Sequence, residues 1–218
     1  MCFSAEASFG ATVVISTVGL IAYKKAKGHS IRRIAFFPLF FGLQQFFEGI
    51  VWLTVDFEKY SSISIMATYG FIFFAWIVWP VFIPFILWKI EKDKSRKKIL
   101  FVFTLFGVVI ASVLTVVMLT QGVKAKVEDC SIVYDYGIHY SPYWLLGVFY
   151  VLTVVVSNLV SSRRLVWLLG VVNIMTYLVS RVYFAGHLIS IWCFLAAISS
   201  LVVLYIIKDE VDSLKENN

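Results

Sequence analysis

From about residue 8 to residue 207 the chain is a succession of apolar, aromatic-rich runs separated by short polar breaks. That pattern fixes the solvent in which it folds. A helix rises about 1.5 Å per residue, so about 20 apolar residues cross a hydrocarbon core of about 30 Å. Seven runs qualify as spans: 8–23, 34–54, 63–88, 99–120, 143–160, 165–184 and 188–207. They read as helices, because barrel strands are about 10 residues long and alternate in polarity. At 61% hydrophobic and 15% charged, the composition lies outside the range of soluble domains. The expected fold is all-α, a polytopic membrane bundle of seven transmembrane helices. It forms one domain over 1–207, followed by a short tail at 208–218. Only Ala185-Gly186-His187 divides the last two runs, leaving open whether they are two spans or one bent element. Met1 to Glu6 lacks the basic segment of a cleavable signal peptide, so the first span is expected to be its own insertion signal.

Charge sets the expected orientation. Lys24, Lys25, Lys27, Arg32 and Arg33 fill one break, and Lys89, Lys92, Lys94, Arg96, Lys97 and Lys98 another. Arg163 and Arg164 end the fifth run, and Lys208 and Lys215 follow the seventh. These are 15 of the 19 basic residues, all on one side of a seven-span chain. The other side holds Lys59, Lys124, Lys126 and Arg181. The positive-inside rule then places the N-terminus outside and the C-terminus in the cytoplasm. The net charge of +6 is explained by the same asymmetry; basic cytoplasmic breaks are attracted to anionic lipid headgroups, and nothing else in the sequence supports nucleic-acid binding.

Strongly polar groups are costly in a bilayer unless they face the bundle interior or water, so their positions carry information. Glu48 lies 15 residues beyond Arg33, about 22 Å from the inner edge. Gln44 is one turn away on the same face, with Gln45 beside it. Arg181, 17 residues past Arg164, sits at nearly the same depth, about 25 Å. The sixth run also carries Asn173, Tyr177 and Ser180 on one face, with His187 beyond it. Two readings stand side by side: a structural Glu48–Arg181 ion pair, or a functional cavity walled by these residues. Ser4, Ser8, Thr12 and Ser16 recur every fourth residue, the spacing of close helix packing. Pro80 and Pro84 should kink the third span and free a carbonyl. Trp76, Trp79 and Trp88 read as lipid-facing or interfacial anchors.

No CxxC, HxxH or HExxH spacing occurs. The topology nevertheless gathers Cys2, His139, His187, Cys193 and Glu48 on the outer side. Ligation of zinc or another transition metal by Cys2, His139, His187 and Glu48 is one reading. A Cys2–Cys130 or Cys2–Cys193 disulfide and unpaired thiols are the others. No haem signature is present, and no lysine for retinal occurs between His187 and Ile207.

The opening Met1-Cys2-Phe3-Ser4-Ala5 stands with Phe41-Gly42-Leu43-Gln44-Gln45, Glu48-Gly49 and Ser190-Ile191-Trp192-Cys193. Together they resemble an uncharacterised bacterial family of multi-span membrane proteins beginning MCFSA. The resemblance runs from the first residue to the seventh span. It implies a multi-pass protein of the bacterial inner membrane and brings no catalytic residue with it.

The function expected from these features is a polar pocket near the outer face that binds or processes a lipid or small amphipathic molecule. Gln44, Gln45, Asn173, Tyr177 and Ser180 would line it. In an enzymatic version Glu48 is general base or metal ligand, Arg181 the anion partner and His187 the acid/base. The alternative is a non-enzymatic receptor, carrier or membrane subunit in which Glu48 and Arg181 are purely structural. Membrane lipids are the expected partners.

Overall fold

The computed structural model describes residues 3–57, 59, 61–128, 131–137 and 143–216, the side chains of 143, 144 and 216 excepted. Nine α-helices and one β-hairpin are present among the described residues: α1 (Ala5–Lys25), α2 (Phe36–Thr54), α3 (Ser61–Ile72), α4 (Trp79–Ile90), α5 (Lys94–Gln121), β1 (Lys124–Glu128), β2 (Ser131–Asp135), α6 (Tyr143–Val160), α7 (Trp167–Tyr183), α8 (Leu188–Ala196) and α9 (Ser199–Glu216). A six-residue 3-10 segment, Ser30–Ala35, leads into α2.

Five stretches among the described residues are long and apolar enough to cross a membrane: Ala5–Lys25, Ser30–Thr54, Ser61–Ile90, Lys94–Gln121 and Ala185–Lys215. Each contains an expected run. The fifth and sixth expected runs are helical as well, but their apolar lengths are shorter, Leu145–Val160 and Trp167–Tyr183. At 1.5 Å per residue these cover only about 25 Å of a core about 30 Å thick. Leu165, with φ 62, turns the chain before α7, so that helix starts later than the apolar run. The helix then breaks at Phe184 (φ −140, ψ 43), and one 3-10 turn, Ala185–His187, leads into α8. α7 packs against both α8 and α9. The chain therefore doubles back there, and the last two runs are separate elements.

The spans differ in how deeply they lie. In the second and third stretches 61% of the apolar window is buried, but in α1 only 22% and in α5 only 28%. α2 and α3–α4 are thus central, and α1 and α5 peripheral. Val13, Val14, Leu20 and Ile21 on α1, with Leu105, Phe106, Val109 and Val116 on α5, are exposed. Such faces suit hydrocarbon as solvent and would be a liability in water.

Close backbone approach holds the periphery to the centre. A side chain at Gly42 of α2 would overlap Ser16 of α1, and one at Gly107 of α5 would overlap the Pro80 carbonyl of α4. The small-residue pattern of α1 therefore does pack: Ser16 meets Gly42, Ser8 is buried, and Ser4 caps the helix by accepting from the Ala7 amide at 3.3 Å.

The prolines act as their chemistry requires. Ahead of Pro80 the helix widens to π geometry over Phe73–Val78, where Trp79 N–H reaches back to the Phe74 carbonyl. In that register the next amide, absent in Pro80, would have served the Ala75 carbonyl. The Tyr150 hydroxyl of α6 donates to this carbonyl instead. Trp76 and Trp79 are buried, at 6% and 3% exposure, which corrects the expectation that they anchor at the lipid. The π turn and the Gln44 side chain bring them inward.

Two apolar cores result. One includes Ile31, Leu87, Ile90, Leu100, Leu169 and Ile206. The other includes Val51, Phe71, Ile72, Trp76, Ile132, Tyr134 and Cys193, and the hairpin closes over it. Phe71 stacks on Tyr134 at 4.7 Å, and Trp76 meets Tyr136 edge-on at 5.3 Å.

Candidate functional site

α2 is sorted by polarity into two faces. Leu43, Phe46 and Leu53 are exposed, while Gln44, Gln45 and Glu48 are buried at 0%, 0% and 1%. Glu48 accepts from Gln45 Nε2 at 3.0 Å and from the Ser190 hydroxyl of α8. The Gln44 carbonyl oxygen accepts from Trp79 Nε1 at 2.8 Å. Cys193, one turn after Ser190, lies beside Gln44 and Glu48 without meeting hydrogen-bond geometry to Gln44. From β2, Tyr134 reaches the same place. Burial, and then the nearby Glu48 and Cys193, hold its phenol well above its ordinary pKa, so it stays a proton donor.

This centre retains unused hydrogen-bonding capacity. Gln44 Nε2, Gln45 Oε1 and Tyr134 OH are all buried and have no partner among the described residues. Buried polar atoms are normally satisfied, and an orphan calls for an explanation such as water, an ion or a ligand. Here two donors and one acceptor surround a single carboxylate.

The residues expected to complete the site are placed otherwise. Arg181 is exposed and forms no ion pair with Glu48, whose partners are Gln45 and Ser190. Similar depth in a bilayer says nothing of rotation about the helix axis, and α7 turns Arg181 outward. The expected structural ion pair is therefore corrected. Asn173 and Ser180 are buried but spend their side chains on their own helix, donating to the Leu169 and Thr176 carbonyls at 2.8 Å each. Tyr177 packs edge-on against Trp192 at 5.1 Å. His187 sits in the turn that touches β2, one turn before Ser190, and its Nδ1 is buried without a partner.

Cys2, Cys130 and His139 lie outside the described residues. Cys193 is a free, buried thiol, which does not take up the Cys2–Cys193 bridge. Among the described residues no three His, Cys, Asp or Glu side chains converge to hold a metal. The pocket expected to stand open near the outer face is instead a buried polar centre beneath β2, whose Ser131, Ile132 and Tyr134 are themselves buried.

The hairpin falls in the break between the fourth and fifth runs, outside every expected helix. Its signal was present: Lys124-Ala-Lys-Val-Glu128 alternates polar and apolar, a period of two. Ser190 was missed for another reason. It stands 142 residues from Glu48, and no local spacing announces the contact.

A second polar cluster was missed entirely. Glu91, 4% exposed, accepts from the amides of Lys92, Asp93 and Ser162 at 2.8, 3.0 and 2.7 Å. The hydroxyls of Ser161 and Ser162 donate to it as well. Burial alone would raise its pKa, but these donors, led by Ser162, outweigh that and hold the carboxyl below its ordinary value. Arg163 beside it donates to the Ile90 carbonyl at 2.7 Å, to Glu210 at 2.7 Å and to Ser30 at 2.9 Å. Four chain segments are pinned together at the end of the bundle opposite the hairpin.

A family model of unknown function (DUF6629) matches residues 1–217, so the chain belongs to that family. No curated protein and no solved structure matches it.

Proposed function

From membership of a family of unknown function and a polar centre buried in a membrane-type bundle, we propose a seven-span protein of the bacterial inner membrane. Its N-terminus is outside, and the Glu48 centre binds the polar end of a lipid or small amphipathic molecule. The orientation is supported by the four basic segments, which meet through Ser30, Ile90, Arg163 and Glu210 at one end. The bacterial setting rests on the resemblance carried by the opening residues. α6 and α7 span in this reading, with their polar ends reaching the headgroup region.

The observation that carries the binding function is the set of orphaned atoms Gln44 Nε2, Gln45 Oε1 and Tyr134 OH around Glu48. A guest hydroxyl or N–H-bearing amide satisfies both donors and the acceptor at once. Binding is favoured over catalysis because Arg181, the anion partner of the enzymatic version, points away from Glu48. The hairpin then covers the guest, with Tyr134 and Tyr136 closing on Phe71 and Trp76.

Native mass spectrometry of the protein released from membranes tests this. Wild type should carry a specific small adduct that Gln45→Leu and Glu48→Leu lose. Identical adducts in all three proteins would refute it. A reporter fused after Asn218 should be active only in its cytoplasmic form and one near Lys126 only in its exported form; the reverse refutes the orientation.

A further inference from the structure

At the end of the bundle opposite the hairpin, the α1–α2 connection forms a depression of about 370 Å³ lined by Tyr23, Gly28, His29, Ser30, Arg32, Arg33 and Phe36. That volume falls within the range of about 300–1,000 Å³ typical of small-molecule sites. No carboxylate lines it. Gly28, at φ +85, makes the turn that a residue with a side chain would adopt only under strain.

Its charge is positioned and unspent. Arg32 Cζ lies 3.6 Å from the centroid of the Tyr23 ring, and Tyr23 in turn leans on Phe36 at 5.5 Å. Stacking fixes the plane of the guanidinium and leaves its edge free for a ligand. Arg32 Nε is buried without a partner. Neither Arg32 nor Arg33 takes part in the ion pairs found among the described residues. The Ser30 oxygen accepts from Arg163, so its proton remains available to a ligand. Glu210, which shares Arg163 with Ser30, is engaged by that arginine.

A planar, held guanidinium with a second one beside it, a free hydroxyl and no acid matches a phosphate group. We propose that this depression binds a phosphate ester, either the headgroup of an anionic lipid or a free phosphate compound. It is separate from the Glu48 centre. The proposed orientation bears only on which leaflet would supply a lipid.

The test uses the whole protein in a neutral detergent, titrated with short-chain phosphatidylglycerol and, separately, with glycerol 3-phosphate. Arg32→Gln/Arg33→Gln should weaken binding about tenfold or more, since each basic group near a phosphate contributes substantially. Lys94→Gln/Lys98→Gln, which removes the same charge from another basic break, should stay within about twofold of wild type. Arg33 is exposed, so Arg33→Gln alone keeps the test valid if the double variant does not fold; it should still weaken binding several-fold. Arginine-dependent binding of the lipid alone supports a headgroup site, and of both ligands a site for phosphate esters in general. Binding of neither ligand overturns the proposal, as does equal loss in the lysine variant or arginine-independent binding.

Discussion

Glu48 and Glu91 are both buried carboxylates, at 1% and 4% exposure, but their surroundings differ in kind. Glu91 receives three amides and two hydroxyls, and Arg163 stands beside it fully engaged by Glu210, Ser30 and the Ile90 carbonyl. Among the described residues, Glu48 receives one side-chain amide and one hydroxyl but no cation, and has orphaned polar atoms as neighbours. A fully satisfied network rigidifies the elements it joins, whereas a partly satisfied one carries a cost that something else must offset. Glu91 thus belongs to the scaffold, and in the proposed reading Glu48 belongs to a binding centre.

The largest effect should come from breaking the satisfied cluster. Arg163→Leu leaves Glu210 and the Ile90 carbonyl without their donor, and removing one partner of a buried pair typically costs about 3–5 kcal/mol. Thermal unfolding in detergent should show the loss as a clear drop in Tm. An unchanged Tm would remove the distinction between the two clusters.

Acid should next weaken Glu91 selectively. Its folded pKa is lowered, so its contribution is present above the unfolded value of about 4.3 and is lost as pH falls below it. Unfolding measured from pH 7 to pH 3 should show Glu91→Gln losing less stability than wild type below about pH 4. Parallel curves would show that Glu91 does not titrate as a held carboxylate.

Smaller still are the effects at Glu48 and Arg181. Arg181→Leu lies on an exposed face and should change stability by no more than about 0.5 kcal/mol. A double-mutant cycle with Glu48→Gln should give a coupling below about 0.5 kcal/mol, because the two side chains share no contact. Strong coupling would restore the ion pair that the geometry excludes.

The contrast between the clusters also explains what was legible. Apolar runs announce helices because length and hydropathy are local, and all seven appear as helix. The inward face of α2 was legible too, since Gln44, Gln45 and Glu48 fall at helical spacing. What Glu48 meets was not, because Ser190 and Tyr134 come from distant elements. Arg163 was read only as a basic residue at the end of a run, and Glu91 was not singled out, although they join segments about 70 residues apart by chain. Depth along the membrane normal suggested Arg181 for Glu48, but depth fixes one coordinate of three.

The most direct measurement compares the melting of wild type and Gln45→Leu before and after exhaustive delipidation, then after adding back the extracted membrane lipids. A ligand that binds only the folded state raises Tm by mass action. Wild type should lose stability on delipidation and regain it with the extract, while Gln45→Leu should show much smaller changes in both steps. Equal shifts in the two proteins would contradict a ligand at the Glu48 centre.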